Sequence, residues 1–447
     1  MKLFGTDGVR GTAGTYPLDH RTVARIGAAL VRALPQLDSV QGSPQLLVGR
    51  DTRESGSWIE QELARGVHGE GATLESAGII PTPAIAYLTK AHGFDAGVVI
   101  SASHNLYQDN GIKVFSGRGV KFGETLEAAV ERIVADERWE VPDVPLRPVP
   151  LHDLVESYLQ HAALALPRPE RLGRLRIAID CANGATTTVA PRLLRRFGFD
   201  VTVIGDEPDG RNINLNGGST HPQHLSGVVS RGSFRLGVAF DGDGDRAIFV
   251  DHAGHIIDGD AVMYICARQL QRTGQLKGNA VVATVMSNIG LELALQSAGI
   301  ALVRCPVGDK YVMEELLKRD LSLGGEQSGH VIFPDHLFTG DGLVTALSVL
   351  RTMAETGREL ADLAADLRRY PQVLLNVPVR ERVDLEGVPA VAAAMERVER
   401  RLAGQGRLLV RYSGTEPLLR VMIEGQDQRE ISSWAEEIAS EVKRAIG

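Results

Sequence analysis

Two hydrophobic rhythms alternate along the chain. Short apolar runs, QLLVGR, AGVVIS, RIAID, LGVAF, NAVVATV and LVRCPV, have the length and β-branched content of strands buried on both faces. Elsewhere apolar positions recur every three or four residues, which predicts amphipathic helices over 55–68, 186–197 and 288–298. Buried strands alternating with covering helices are the pattern of α/β layers, with helices packed on a mixed or parallel sheet. Loops at the carboxyl ends of such strands are where these sheets bind ligands, so polar residues there have a prior for function.

The proline-rich VPDVPLRPVP (141–150) can continue neither a helix nor a central strand, and closes a first domain. The hairpin-like AIFVDHAGHIID leads into a helix starting near Asp258, and a second boundary falls within it. A third falls near RRYPQV (368–373). The expected domains are 1–150, 151–255, 256–368 and 369–447. In the last, LLNVPV, a long helix ending near Leu402, two strands and an amphipathic helix make a compact α+β unit. AGVVISASHN, RIAIDCANGA and AVVATVMSNIG repeat one plan, a strand, a small polar loop and a helix-forming run.

Composition narrows the picture. A chain of 447 residues with 43% hydrophobic content can bury several cores. Its net charge of -8 argues against a nucleic-acid or anionic-membrane surface, so basic groups that bind phosphate must be local. The three cysteines are scattered without metal-ligand spacing, which fits a reducing compartment. The start, MKLFGTDGVRG, lacks the apolar core of a leader, and no run approaches the ~20 apolar residues of a membrane span. A cytoplasmic protein is expected.

Four segments carry chemistry. In FDGDGDR (240–246) Asp241, Asp243 and Asp245 alternate with glycines after an apolar strand, so a flexible backbone can turn three carboxylates to one point. Such charge is costly without a cation, although DG pairs also form acidic surface turns. Few hard oxygen ligands with positions left open suit Mg²⁺, and the bidentate Glu of an EF-hand is absent. ISASHN (100–105) places Ser101, Ser103 and His104 at a strand end, where a hydroxyl beside a cation can take and return a phosphoryl group. Periodicity does not choose between the two serines, and alone the loop reads equally as a cap. GGEQSGH (324–330) groups Glu326, Ser328 and His330 in a mix that suits sugar hydroxyls, or an ordinary turn. RYSGTEPLLR (411–420) sets Ser413, Gly414 and Thr415 between Arg411 and Arg420, a phosphate pocket by its donors; a plain hairpin with surface arginines is the other reading.

In this order the four motifs resemble the α-D-phosphohexomutase superfamily across essentially the whole chain. FGTDGVRG, and SASHN continuing to DNGIK, look most like its bacterial phosphoglucosamine mutase branch, which interconverts glucosamine 6-phosphate and glucosamine 1-phosphate. The resemblance implies three similar α/β domains with mixed sheets plus a C-terminal α+β domain around a central cleft. It also implies an isomerase of amino-sugar metabolism that takes a small sugar phosphate, with a bisphosphosugar as intermediate and activator. By resemblance Ser103 is the phosphorylated residue, and its phosphate shares Mg²⁺ with Asp241, Asp243 and Asp245, beside Arg246. Glu326 and Ser328 match the sugar loop. Arg411, Ser413, Gly414 and Thr415, flanked by Arg420, match the loop holding the non-reacting phosphate. Lys113 matches a lysine proposed to exchange protons with the sugar hydroxyl, Arg10, His104 and His330 lie in matching cleft motifs, and Lys310 falls in the third domain's cleft segment. One departure is visible: Leu106 follows SASHN where the family usually has proline, which alters loop stiffness and not chemistry.

A glucose or mannose phosphate mutase on the same scaffold is the nearest rival. A metal-dependent phosphatase would share the aspartates without needing a second phosphate pocket. A non-catalytic sensor would not need Ser103, Lys113 and three aspartates together. Oligomeric state is not readable.

Overall fold

Strands form where the apolar runs predict them, and they sort into four sheets. The computed structural model describes residues 3–5, 7–34, 42–142, 144, 145, 147–413 and 417–447. Packing divides the chain into two units, one of residues 1–286 and 299–365, the other of 287–298 and 366–447. The chain has four domains, three α/β with mixed sheets and a smaller C-terminal one with an antiparallel sheet.

The first domain runs β1 (Phe4–Gly5), β2 (Gly8–Thr12), α1 (His20–Ala33), β3 (Gln45–Arg50), α2 (Gly56–Gly69), β4 (Thr73–Ile79), α3 (Thr82–Ala91), β5 (Ala96–Ile100), β6 (Asp109–Ser116) and α4 (Glu124–Ala135). Its sheet has the order β1-β2-β6-β5-β3-β4. β5 and β3 are parallel neighbours, and β6 returns antiparallel to β5. Leu46, Val48, Val98 and Ile100 pack one face against α1, α2 and α4 through Val23, Ile26, Leu30, Leu63 and Val130. The described residues of 141–150 form neither helix nor strand.

The second domain holds α5 (Val155–Ala163), β7 (Arg176–Asp180), α6 (Ala190–Arg196), β8 (Asp200–Ile204), α7 (Gln223–Arg231), β9 (Leu236–Phe240), β10 (Ala247–Asp251) and β11 (Ile256–Ile257), with sheet order β11-β10-β9-β7-β8. The helix expected over 186–197 is split: Ala185–Thr188 is a 3₁₀ turn, and α6 starts beyond it with Pro191 in its first turn. The third contributes α8 (Gly259–Arg272), β12 (Ala280–Thr284), α9 (Ile289–Ser297), β13 (Ala301–Cys305), α10 (Asp309–Arg319), β14 (Gly324–Gly325), β15 (Val331–Ile332), α11 (Gly342–Thr356) and α12 (Leu360–Ala364), with sheet order β13-β12-β14-β15. Asp258 caps α8 as its spacing predicts.

These orders correct the repeat read from the sequence. SASHN is followed by strand β6 and not by a helix. In each of these three sheets a strand flanked by a parallel neighbour makes a hairpin with an antiparallel one: β5 with β6, β9 with β10, β14 with β15. The equivalent loops are therefore those after β5, β9 and β14, which carry Ser103, the aspartates and Glu326. The loops after β7 and β12, matched to SASHN by their small residues, correspond instead to the one after β3.

The second unit sets β16 (Gln372–Pro378), β18 (Leu418–Glu424) and β17 (Arg407–Tyr412) in an antiparallel sheet, order β16-β18-β17, under α13 (Pro389–Leu402) and α14 (Gln428–Ile446). Val391, Val398, Val421, Ile423, Ile431, Ile438 and Val442 form its core. Helix α9 belongs to this unit: the fully buried Glu424 carboxylate accepts from Ile289 N and Asn288 Nδ2 at 3.1 and 3.2 Å, a negative charge at a helix N-terminus. Among the described residues no helix is long and apolar enough to cross a membrane.

Asp341 caps α11 by accepting from Val344 N at 2.9 Å, and Tyr158 Oη bonds both its oxygens at 3.0 and 3.1 Å. Burial pushes its carboxyl up to about 6. An unfolded aspartate titrates near ~3.9, so the folded protein binds the extra proton between those values. Its stabilising effect is complete below that window and is lost as pH rises through it, by roughly 2–3 kcal/mol. Asp341→Asn should therefore flatten the fall in Tm between pH 4.5 and 7.5, measured in chelator. An unchanged slope counts against this assignment.

Candidate active site

β5 is apolar at every position and fully covered, and its carboxyl end delivers Ser101 and Ser103 into a buried loop. Ser103 has φ +52°, a left-handed backbone uncommon outside glycine. Its Oγ donates to Asp241 Oδ2 at 2.6 Å. β9 is equally apolar and carries Asp241, Asp243 and Asp245 at its end, all buried. Gly242 permits the approach: a Cβ there would lie 2.7 Å from the Ser103 carbonyl oxygen. The geometry separates the two serines that periodicity could not. Ser103 faces the aspartates, and Ser101 Oγ instead donates to Asp51 Oδ2 at 2.6 Å while accepting the Ser103 N–H at 2.9 Å.

Each of the three aspartates offers an oxygen within 4.8 Å of the others. Oδ1 of Asp243 and of Asp245 are buried without a hydrogen-bond partner. Burial and the neighbouring Asp245 and Asp243 carboxylates hold Asp241 well above the usual carboxylate range. Orphaned hard oxygens and one carboxyl that resists ionising are what a site for a divalent cation shows without its ion, and the triad fits a metal. Thr82, opening α3, braces Asp243 with its Oγ1 at 2.6 Å and its N–H on the backbone carbonyl at 2.8 Å.

Lys113 projects from β6 into this charge. Its buried Nζ lies 2.9 Å from Asp243 Oδ2, 3.3 Å from Asp245 Oδ2 and 3.0 Å from Asp7 Oδ2. Burial disfavours its charge, but Asp243, Asp7 and Asp245 outweigh burial and hold the ammonium well above its ordinary range. Arg10 Nη1 donates to Ala102 O at 2.8 Å, and its Nη2 lies at 2.5 Å from Asp7, so it backs the serine loop. His104 Nδ1 stands 3.4 Å from Ser103 Oγ; burial, then Arg246 and Arg10, bring its pKa down to about 4, so it is neutral at neutral pH.

Arg246 N–H donates to Asp241 Oδ1 at 3.2 Å, and its side-chain Nε, 3.8 Å from Asp245, has no hydrogen-bond partner. His330 is buried with both ring nitrogens unpartnered, 3.9 Å from Asp245 and 3.8 Å from Asp309. Glu326 Oε1 accepts from Gly308 N at 3.1 Å, and its Oε2 lies 3.5 Å from the exposed Ser328 hydroxyl. Lys310 is placed differently: its Nζ is engaged by Glu124 at 2.8 Å on the surface of α10.

In the second unit Arg411 on β17 stands directly across from Arg420 on β18. Like charges at such a pair are destabilising unless an anion separates them. Ser413 is buried, and its carbonyl accepts from Arg382 Nη2 at 2.6 Å. Gly414 and Thr415 lie outside the described residues.

The sequence reading missed Asp7, Asp51, Arg53, Lys121, Asn214 and Asp309. Lys121 bridges Asp7 and Asp309, tying the first domain to the third behind Lys113. The usable signal was GRDTR (49–53), charged residues directly after an apolar strand.

Comparison with known proteins agrees with this geometry. Models of phosphoglucomutase/phosphomannomutase α/β/α domains I, II and III match residues 1–140, 156–254 and 258–370, and the C-terminal domain model matches 374–441. The chain belongs to the phosphoglucomutase/phosphomannomutase family and is a phosphohexomutase-type isomerase. It is 48% identical to a phosphoglucosamine mutase of Solibacter usitatus, over 100% of this chain and 99% of that one. It is 46% identical to one of Desulforamulus reducens, over 98% of each. Solved structures share the fold. A phosphoglucomutase/phosphomannomutase family protein of Burkholderia thailandensis aligns with TM-score 0.80 at 23% identity, covering 99% of this chain and 97% of that one. An Aspergillus fumigatus N-acetylphosphoglucosamine mutase, solved with GlcNAc-6P and magnesium, aligns with TM-score 0.68 at 18% identity, covering 100% and 96%.

Proposed function

We propose that the chain interconverts glucosamine 6-phosphate and glucosamine 1-phosphate through phosphorylated Ser103 and a 1,6-bisphosphosugar. The observation that carries this reading is the 2.6 Å contact of Ser103 Oγ with an aspartate triad, in a chain alignable end to end with proteins named phosphoglucosamine mutase. The residues that would hold Mg²⁺ are Asp241, Asp243 and Asp245, with the Ser103 phosphate; the bound ion supplies charge neutralisation for the transferring phosphoryl group.

The chain's own groups do the rest. Ser103 Oγ gives its phosphoryl group to the free sugar hydroxyl and later takes back the other one. In the first transfer the sugar hydroxyl's proton ends on Ser103 Oγ as the phosphoryl group leaves it, and in the second a proton returns to the sugar oxygen; Lys113 is the proposed relay, giving its ammonium proton to the departing oxygen and taking the one the attacking hydroxyl loses. Arg246 and His330, with unpartnered buried nitrogens, are proposed to bind substrate oxygens, and neutral His104 to hydrogen-bond beside Oγ. Glu326 and Ser328 are the proposed sugar contacts. Arg411, Ser413 and Arg420, together with Gly414 and Thr415, are the proposed holders of the non-reacting phosphate. Arg10 is the proposed brace of the loop, and Lys310 a substrate contact after release from Glu124. Bisphosphosugar is the proposed activator, because resting enzyme must already be phosphorylated.

A ³¹P NMR time course with glucosamine 6-phosphate, Mg²⁺ and a trace of bisphosphosugar tests the reading. The glucosamine 1-phosphate resonance should grow. Inorganic phosphate as the main product would establish a phosphatase instead, and faster turnover of glucose or mannose phosphates would reassign the sugar.

A further inference from the structure

We propose that Arg53 is a positioning residue for phosphoryl transfer: its buried guanidinium, acting with Asp51, Ser101 and Asn214, holds the backbone of Ser103 in the left-handed form that aims Oγ at Asp241. The proposal rests on Ser103 being the phosphorylated residue.

Arg53 is fully buried, and every one of its side-chain N–H groups is used. Nε donates to Asp51 Oδ2 at 2.8 Å. Nη1 donates to Leu106 O and to Asp109 O, the latter at 3.0 Å, while Nη2 donates to Ser103 O at 3.0 Å and Asn105 O at 2.8 Å. An arginine placed only to neutralise Asp51 would present its fork to both carboxylate oxygens. Here the fork is spent on four carbonyls of the serine loop.

The same pair also reaches the other side of Ser103. Asp51 Oδ2 accepts from Ser101 Oγ, which accepts the Ser103 N–H. Both peptide groups of the serine are thus gripped by one ion pair. Asn214, buried and reaching in from the second domain, repeats the grip: its Nδ2 lies 2.8 Å from Ser103 O and 2.9 Å from Asn105 O. A left-handed non-glycine residue persists only where its surroundings over-determine it, and here five side chains and Gly242 do so once Arg10 on Ala102 O is included. The loop must also return Oγ to one place in both half-reactions, and a 1 Å misplacement costs about 10²-fold in rate.

A merely structural arginine is available for comparison. Arg25 is also buried, and its guanidinium donates to the carbonyls of Val134 in the last turn of α4 and of Asp136 and Trp139 just after it, none of them in the serine loop.

The test compares Arg53→Lys, Asn214→Ala and Arg25→Lys with the wild type for kcat and KM on glucosamine 6-phosphate, Tm, phosphopeptide mapping and the ³¹P resonance of the enzyme phosphate. Arg53→Lys should lose about ten- to a hundredfold in kcat with KM little changed, and its phosphoserine resonance should shift or broaden. Asn214→Ala should lose about tenfold in kcat by the same route, and it carries the test if Arg53→Lys does not fold. Arg25→Lys should lower Tm and leave kcat within about twofold, since nothing it holds touches the serine loop. If phosphate maps to Ser103 and the Arg53 and Asn214 variants turn over normally, or lose no more kcat than Arg25→Lys at equal loss of Tm, the positioning role is wrong. Phosphate mapped to another residue in the wild type would overturn the phosphoserine reading, and this proposal with it.

Discussion

Ser103→Ala should abolish turnover, a loss of about 10⁴-fold or more, because Ser103 carries the hydroxyl that bonds Asp241 and removal of the proposed nucleophile is seldom compensated. Ser101→Ala should keep about a tenth of the activity, since it removes one of several hydrogen bonds that hold the serine loop and leaves the nucleophile in place. The contrast matters because the two serines lie in one loop and differ only in direction. Steady-state assays on both variants, with phosphopeptide mapping of the wild type, check it. Phosphate found on Ser101, or equal losses in the two variants, would show that the 2.6 Å contact is not where the phosphoryl group resides.

Chelation should stop turnover and leave the far-UV circular dichroism nearly unchanged. The triad sits in one loop, whereas separate apolar cores hold the domains. The loop itself need not collapse without a metal, because Lys113 already supplies a buried positive charge to Asp243 and Asp245. That gives a sharper test. Lys113→Met leaves Asp243 and Asp245 without their ammonium, while Asp7 keeps Lys121 and Arg10, and breaking a buried pair in this way costs about 3–5 kcal/mol. The chelated variant should therefore unfold at a lower temperature than the chelated wild type, and Mg²⁺ should recover part of the difference by replacing the missing charge. Equal Mg²⁺-induced shifts in Tm for both proteins would mean that lysine and metal do not share one charge site.

The fold was largely legible because β5 and β9 are apolar at every position, and β12 at all but its last, a signature that survives in a single sequence. The DGDGD run and the paired arginines of the C-terminal hairpin were likewise visible as concentrations of one residue type. The serine loop's neighbours were not. Arg53 and Asp51 read as a solvated charge pair in any periodicity argument, since nothing local reveals that a guanidinium will be enclosed by four carbonyls supplied about fifty residues later. Asn214 is harder still, as it sits in a segment without regular structure and meets Ser103 only through tertiary packing. The repeat was misaligned for a related reason: small polar loops look alike in composition, whereas the equivalence of β5, β9 and β14 rests on strand neighbours, which are long-range facts.

That equivalence has a consequence for how the molecule divides its labour. One kind of socket, a hairpin loop at the end of a doubly flanked strand, is present in triplicate, and each copy carries different side chains: Ser103 in one, the three aspartates in another, Glu326 and Ser328 in the third. A single module would hold Ser103 without the three carboxylates its hydroxyl meets. Because every socket is anchored in its own sheet, its loop can lengthen or exchange side chains without disturbing the register of the other two. On the proposed function, changes at Glu326 and Ser328 would therefore alter sugar preference while Ser103 and the aspartates keep their contact.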